Sequence, residues 1–172
     1  MLYVGNVGDA RAVLCRAGEV VALTVDHKPT HPAERERIER AGGWIHNRRL
    51  HGVLAVARAF GDVEYKSMKH LWGREFTCDP LIAAPDVRFE PLRPEDEFLV
   101  LACDGVWDVM TNRDAVNFVR RRLVRHGDVQ RAARELQDKA GELHSNDNIS
   151  VVVVCLNQKM SEAGQLQQRF LS

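Results

Sequence analysis

The opening of the chain consists of short apolar runs separated by glycine-containing breaks. Runs of valine, leucine and alanine are typical of strands, and three strands are predicted, at residues 2–7, 10–15 and 20–23. Gly8-Asp9 lies between the first two runs and predicts a two-residue hairpin turn. Ala17-Gly18 separates the second run from the third in the same way.

A helical pattern follows the third run. Pro32 suits the first turn of a helix, residues 33–41 contain good helix formers, and Gly42-Gly43 supplies a stop. Residues 44–85 show no sustained period and are predicted to be irregular. Within them, residues 64–80 predict a long loop.

The second half of the chain groups strands and helices in runs. Strands are predicted at residues 87–89, 98–103 and 149–156. Thr111, with Asp114 three residues later, resembles a capping box that opens one helix, and Asp128 caps a second. Because strands and helices are grouped and do not alternate, the pattern predicts an α+β fold with antiparallel sheets.

Composition narrows the possible functions. The chain has 172 residues, enough for one domain, and its 24 basic and 24 acidic residues give zero net charge. No broad field therefore attracts nucleic acid or an anionic membrane, and the arginines at 120–122 and 125 are interpreted as the solvated face of a helix.

The four cysteines and the hydropathy profile indicate a compartment. The cysteines are widely spaced without CxxC pairs, and no apolar stretch approaches the roughly 20 residues that span a bilayer. We expect a reduced, unexported, intracellular protein, cytoplasmic or nuclear or both, without membrane contact. The sequence indicates no oligomeric state.

Aspartates gather where the predicted strands end. Asp9 follows the first strand, Asp104 follows the strand at 98–103 with Asp108 four residues on, and Asp147 precedes the last strand. Carboxylate oxygens without basic neighbours suit hard cations such as Mg²⁺, Mn²⁺ or Ca²⁺. The alternative is that these acids are turn or cap residues, which for Asp9 in Gly-Asp is the commoner case.

Four stretches, in this order, resemble the later motifs of the metal-dependent protein serine/threonine phosphatases of the PP2C (PPM) family: YVGNVGDARAVL, LAVARAFGDVEYK, FLVLACDGVWDVM and NDNISVVVV. The resemblance covers most of residues 2–156. It implies a PP2C-like sandwich of two antiparallel β-sheets flanked by helices, with residues 1–157 as the later part of a phosphatase domain and residues 158–172 as a C-terminal tail.

The resemblance also implies an activity. Family members hydrolyse phosphoserine and phosphothreonine in proteins, in dephosphorylation that serves signalling, with Mg²⁺ or Mn²⁺ and without a phosphoenzyme. Asp104 and Asp147 match family ligands of the core metal site. Asp9 and Asp108 match, together with Asp104, an additional metal site. Ala10 departs from the serine that the family often has after Gly-Asp.

An expected motif of the family is missing from the sequence. The family's earlier part contains an Asp-Gly-His-Gly stretch whose aspartate bridges the two catalytic metals, whereas Asp-Gly occurs in this chain only at Asp104-Gly105. We therefore expect a fold that is incomplete at its N-terminal side and a chain that is weakly active or inactive alone. The alternative is a non-catalytic pseudophosphatase or protein-binding module that retains a divalent-cation site.

Three further residues have two interpretations each. Arg58 in VARAFGD is a candidate for contact with the substrate phosphate, or it braces a loop. His27 and His51 are tempting acids, but we interpret them as surface or turn residues and exclude them from the catalytic set. Residues 64–80 resemble the family's variable flap, a place for substrate choice.

Overall fold

The computed structural model of the chain describes residues 1–67 and 76–156, so the predicted tail and the centre of the predicted flap lie outside the described residues. The strands are β1 (Leu2–Asn6), β2 (Arg11–Arg16), β3 (Glu19–Ala22), β4 (Ile45–His46), β5 (Arg49–Leu50), β6 (Asp86–Glu90), β7 (Asp96–Ala102) and β8 (Val151–Cys155). The helices are α1 (Pro32–Arg40), α2 (Val63–Ser67), α3 (Asp104–Trp107), α4 (Asn112–His126) and α5 (Val129–Glu142).

The chain divides into two compact units. The first comprises Met1–Val4, Ala10–Thr24 and the described residues from Arg88 onward, and the second comprises the described residues of Gly5–Asp9 and Val25–Val87.

A four-stranded antiparallel sheet in the order β3-β2-β7-β8 forms the centre of the first unit. One face of this sheet packs against α4 and α5, and its core includes Val13, Phe98 and Val100 with Val116 and Leu136, all fully buried. The expected α+β class with antiparallel sheets is confirmed.

The opposite face of the same sheet is only partly covered. Leu2 and Val4 of β1 pack against the cluster formed by Ala12, Leu14, Leu23 and Leu99. Further along this face, three apolar side chains remain exposed to solvent: Leu101, Val152 and Val154. The sheet therefore presents a hydrophobic strip next to its second, smaller core.

The predicted hairpin across Gly8-Asp9 is wrong, because β1 pairs with β6 in a separate two-stranded sheet and not with β2. Both backbone polar groups of Gly8 are bonded to His27: the Gly8 N–H donates to Nδ1 at 3.1 Å, and the Gly8 carbonyl accepts from the His27 N–H at 2.9 Å. The connection thus closes on a residue nineteen positions later and not on the next strand. Local turn chemistry cannot reveal such a partner.

The caps of the two long helices agree with the predictions. Thr111 accepts from the Asp114 N–H and Asp114 accepts from the Thr111 N–H, which completes the capping box of α4. Gly127 ends α4 in the left-handed conformation, with φ of 67°, and Asp128 caps α5 by accepting from the Arg131 N–H. These bonds satisfy amides that would otherwise lack partners at the helix starts.

The first helix of the second unit is α1, as predicted, with Pro32 in its first turn. Its core consists of Ile38, Leu50, Ala57 and Leu81. Two elements were not predicted, the β4-β5 hairpin and α2. Each strand of the hairpin is only two residues long, which is too short to produce a period in the sequence.

Arginine-bound carboxylates predict a loss of stability in acid. Burial alone would raise the pKa of Asp96, but hydrogen bonds from Arg16 and the Arg93 N–H lower it below its ordinary value. Burial alone would also raise the pKa of Glu34. Hydrogen bonds from Arg58 and Arg37 outweigh burial and lower this pKa below its ordinary value.

A depressed carboxyl pKa contributes stability that is present above the unfolded-state pKa and is lost as pH falls through the folded-state value. We therefore expect the melting temperature to be flat from pH 7 to about pH 5 and to fall below about pH 4. Calorimetry across this range checks it. A melting temperature that rises on acidification would contradict the assignment.

Candidate metal centre

Asp104 and Asp108 lie at the two ends of the short helix that follows β7. Asp104 is the first residue of α3 and Asp108 is its C-cap, with the Asp108 N–H donating to the Asp104 carbonyl at 2.8 Å. Residues four apart on a helix share a face. The central strand therefore ends in two carboxylates on one side of a single helical turn.

Gly105 brings the loop before β8 against this helix. A Cβ at Gly105 would lie 2.5 Å from the carbonyl oxygen of Asn148, closer than real contacts allow. The Cys103 thiol donates to the same Asn148 oxygen at 3.1 Å, and the Cys103 N–H donates to the Ser150 carbonyl at 3.2 Å. The backbone next to Asp104 is thus held against the residue that follows Asp147.

Asp147 itself is exposed in this loop. Its Oδ1 accepts from the N–H of Asn148 at 2.7 Å, a local bond typical of a turn aspartate. The role as a turn residue and the role as a ligand use different lone pairs of the carboxylate, so one does not preclude the other.

Asp9 belongs to the second unit. Its Oδ2 forms an ion pair with Nζ of Lys28, and both side chains are partly buried. The turn that carries Asp9 is held by His27 and by Asn6, whose Nδ2 donates to the Gly8 carbonyl at 3.2 Å. A positive charge therefore already accompanies this carboxylate.

The four candidate ligands are all aspartates, and carboxylate oxygens are the chemical type of ligand that hard divalent ions prefer. Across residues 1–67 and 76–156, no group of three histidine, cysteine, aspartate or glutamate side chains is arranged so that it could hold a metal ion. The assignments of Asp9, Asp104, Asp108 and Asp147 as metal ligands stay predictions.

Asp108 also lines an open groove of about 660 Å³ in the first unit. Arg11 lies in this groove, with its guanidinium 5.0 Å from the centre of the Trp107 ring and Nη1 donating to Asn112 Oδ1 at 2.6 Å. Arg113 lines the same groove. The groove combines an aromatic floor with two arginines beside a candidate metal ligand.

Arg58 is bound on all its nitrogens within the second unit. Its Nε donates to Glu34 at 3.0 Å, and its Nη1 donates to Asp86 at 2.8 Å and to the Ala84 carbonyl at 3.0 Å. Only 13% of its side chain is exposed. This geometry favours the interpretation of Arg58 as a brace, while a contact with the substrate phosphate stays a prediction.

The expectation that His27 and His51 are surface or turn residues is wrong for burial, since both are buried. The His51 ring stacks on Trp44 at a centroid distance of 4.0 Å, and its Nδ1 lies 2.5 Å from the Tyr65 hydroxyl. Burial raises the pKa of that tyrosine. His51 thus belongs to an aromatic cluster of the second unit.

Sequence reasoning missed three polar residues that organise the second unit: Glu34, Asp86 and Lys28. Glu34 left a signal, because it lies four residues before the core residue Ile38 on the apolar face of α1. A glutamate on a core-facing position needs a buried cation, and Arg37 and Arg58 supply two. Asp86 and Lys28 left no comparable pattern.

None of the helices in the described part of the chain combines the length and apolar character needed to cross a bilayer. All four cysteines are free thiols.

Known proteins are similar to this chain in sequence. The family model described as "Protein phosphatase 2C" matches residues 1–149, and the chain belongs to the protein phosphatase 2C family. It is 51% identical over 156 residues to "Probable protein phosphatase 2C 43" of Arabidopsis thaliana, covering 91% of this chain and 36% of the relative. It is 45% identical to "Protein phosphatase 1B" of Mus musculus, covering 94% of this chain and 41% of the relative.

Solved structures show the same fold. A phosphatase from a pathogenic strain of Toxoplasma gondii superposes with a TM-score of 0.76 at 36% identity, covering 90% of this chain and 47% of that chain. A Caenorhabditis elegans sex-determining protein superposes with a TM-score of 0.74 at 29% identity, covering 94% of this chain and 39% of that one. The chain thus spans less than half the length of these relatives.

Proposed function

We propose that this chain carries the later part of a metal-dependent protein serine/threonine phosphatase that acts on phosphoserine and phosphothreonine in proteins. The observation that carries the proposal is the match to the phosphatase family over residues 1–149, a range that includes all four candidate ligands, with Asp104 just after the central strand β7. The named relatives are phosphatases, so the non-catalytic alternative is not favoured.

Each aspartate has a proposed role. Asp104 and Asp147 hold the core metal site, and Asp9 and Asp108 join Asp104 in an additional site. Mg²⁺ or Mn²⁺, when bound, supplies an activated water and positive charge at the phosphoryl oxygens. The close contact at Gly105 supports the first pair, because it fixes the segment before Asn148 beside the start of α3.

The fold contributes orientation to this chemistry. Antiparallel pairing of Ala102 with Val151 sets the end of β7 level with the start of β8. Asp104 and Asp147 are thus attached to adjacent strands of one sheet, which restricts the motion of both carboxylates. Fixed coordination and a shaped cavity are what the protein adds to a metal ion.

The chain by itself is proposed to be weakly active or inactive. Of the core metal site it supplies Asp104 and Asp147, and the bridging aspartate that the family resemblance calls for is not in this sequence. A metal ion held by two protein carboxylates keeps most of its coordination open and is correspondingly labile.

Hydrolysis of a small aryl phosphate with and without Mn²⁺ tests the proposal. We expect weak, Mn²⁺-dependent turnover that Asp104→Asn abolishes. Asp138→Asn is the matched control, because it removes the same charge from an exposed position of α5, and it should leave turnover unchanged.

Two results would count against the proposal. Turnover that is independent of Mn²⁺ would exclude a metal-dependent site, and equal turnover in Asp104→Asn and Asp138→Asn would exclude Asp104. Absence of turnover from folded wild-type chain would remove activity of the chain alone and leave cation binding, which Mn²⁺ titration by calorimetry measures in the same three proteins.

A further inference from the structure

His27 is buried and bonded on every polar atom of its ring and backbone. Only 2% of the residue is exposed. Its N–H donates to the Gly8 carbonyl at 2.9 Å and its carbonyl accepts from the Ala57 N–H at 2.7 Å. The ring bonds Gly8 on one side and Asp86 on the other.

The bonds to Gly8 determine the shape of the turn before β2. Gly8 has φ of 102°, a conformation that only glycine adopts readily. Its peptide N–H and its carbonyl both end on His27, so the turn is clamped from two directions. Asp9 is the next residue, and the direction of its side chain follows from the conformation of this turn.

The network also defines the protonation of the ring. Because the Gly8 N–H is a donor, Nδ1 must accept and carries no proton. Nε2 therefore carries the proton and donates to Asp86 Oδ2 at 3.1 Å. Nη1 of Arg58 in turn donates to Asp86 at 2.8 Å, so Asp86 is held in place and orients the His27 ring through Nε2.

We propose that His27 is a positioning residue that holds the Gly8-Asp9 turn and thereby restricts the direction of the Asp9 carboxylate, a proposed metal ligand, an inference that rests on the proposed function. His27 is too buried to touch substrate. It acts through a backbone amide, and Asp86 and Arg58 orient it.

Lys28, which directly follows His27, contacts the same turn. While His27 holds the backbone of the turn, Nζ of Lys28 pairs with the Asp9 carboxylate itself. Consecutive residues thus hold the peptide and the side chain of one turn. The carboxylate is kept compensated in charge and restricted in direction when no divalent ion is nearby.

Two isosteric replacements separate the two sides of the ring. His27→Asn places an amide oxygen near the position of Nδ1 and keeps an acceptor for the Gly8 N–H, but it does not reach Asp86. His27→Gln places an amide nitrogen near Nε2 and keeps a donor to Asp86, but it lacks the acceptor for Gly8. If His27 acted only through packing, His27→Asn would not preserve the bond to Gly8 better than His27→Gln.

The readout is hydrogen exchange of the Gly8 amide, measured by NMR on the full 172-residue chain. We expect exchange about tenfold faster in His27→Gln, the consequence of one lost buried hydrogen bond, and exchange within about threefold of wild type in His27→Asn. Equal acceleration in both variants, or faster exchange in His27→Asn, would overturn the proposal.

Asp86→Ala keeps the test decisive if the His27 variants do not fold. It leaves the imidazole in place and removes the group that orients it from behind. We expect faster exchange of the Gly8 amide than in wild type. Unchanged exchange in folded Asp86→Ala would show that the Asp86 contact does not position the ring and would overturn this version of the proposal.

A second measurement separates this inference from the proposed function. Mn²⁺ broadens the resonances of nuclei near it, so broadening of the Asp9 amide in wild-type chain reports an ion near Asp9. We expect the broadening to persist in His27→Asn and to weaken in His27→Gln. Absence of broadening in wild type would overturn the proposed role of Asp9 as a metal ligand, whereas the ranking of the Gly8 exchange rates independently decides whether His27 holds the turn.

Discussion

Gly105→Ala is expected to lower the free energy of unfolding by about 3 kcal/mol, since overpacking of a close-packed site costs about that much. The added methyl would meet the Asn148 carbonyl at 2.5 Å, and the obstacle is backbone that cannot rotate away. The φ of Gly105 is one that alanine adopts without strain, because it lies outside the left-handed region. The loss therefore comes from the contact and not from the backbone conformation.

Gly141→Ala is the matched control. Gly141 is also in a helix, and a Cβ there would meet nothing within 4 Å. Alanine should raise stability there by about 0.5 kcal/mol, because it restricts the unfolded chain more than glycine does. Chemical denaturation measures both variants, and a gain of stability in Gly105→Ala similar to that in Gly141→Ala would contradict the close approach.

The same variant should disturb the candidate metal centre. To accept the methyl, the segment at Asn148 must move away from α3, and Asp147 moves with it. We expect amide chemical shifts to change over residues 145–150 and Mn²⁺ affinity to fall, while Gly141→Ala leaves both unchanged.

Arg58→Met is expected to lower the free energy of unfolding by about 3 kcal/mol, the typical cost of leaving a buried charge without its partner. Glu34 is 2% exposed and would keep only Arg37 as a compensating cation. Asp86 would lose its bond from Nη1 at the same time. Methionine retains the apolar volume of the stem, so the change isolates the guanidinium.

Arg40→Met is the control for Arg58→Met. Arg40 pairs with Glu36 on the exposed side of α1, and exposed pairs of this kind contribute less than about 1 kcal/mol. Thermal unfolding compares the two variants. If Arg58→Met is as mild as Arg40→Met, the bracing role fails and the predicted contact with substrate becomes the better explanation of Arg58.

Local signals predicted the elements of the first unit well. The capping box at Thr111, the cap at Asp128 and the apolar runs of β2, β7 and β8 are each defined by residues close together in sequence. Because residues close together in the sequence define these elements, helix and strand propensity and hydrophobic periodicity were sufficient to find them. The fold class followed from their order along the chain.

The partners of single polar residues were not predictable in this way. Gly8-Asp9 has the composition of a hairpin turn, yet its backbone bonds go to His27, and the strand before it pairs with β6. The contact between Gly105 and Asn148 likewise joins residues that no local rule relates. The motif residues of the candidate site follow from family resemblance, whereas the groups that hold them come from distant parts of the chain that only the folded structure brings together.

The order of strands in the central sheet has a consequence for the rate of folding. In this sheet β2 lies next to β7, and Arg11 pairs with Ala102. The loop that this pairing closes therefore contains the whole of Val25–Val87. Closing a loop costs entropy that grows with the logarithm of its length, and sheets built from distant segments form slowly. The α4-α5 hairpin, by contrast, is local and capped at its connection. Refolding should therefore show helix formation well before the central sheet, and the α4-α5 hairpin should be the surface on which β2 and β7 later assemble.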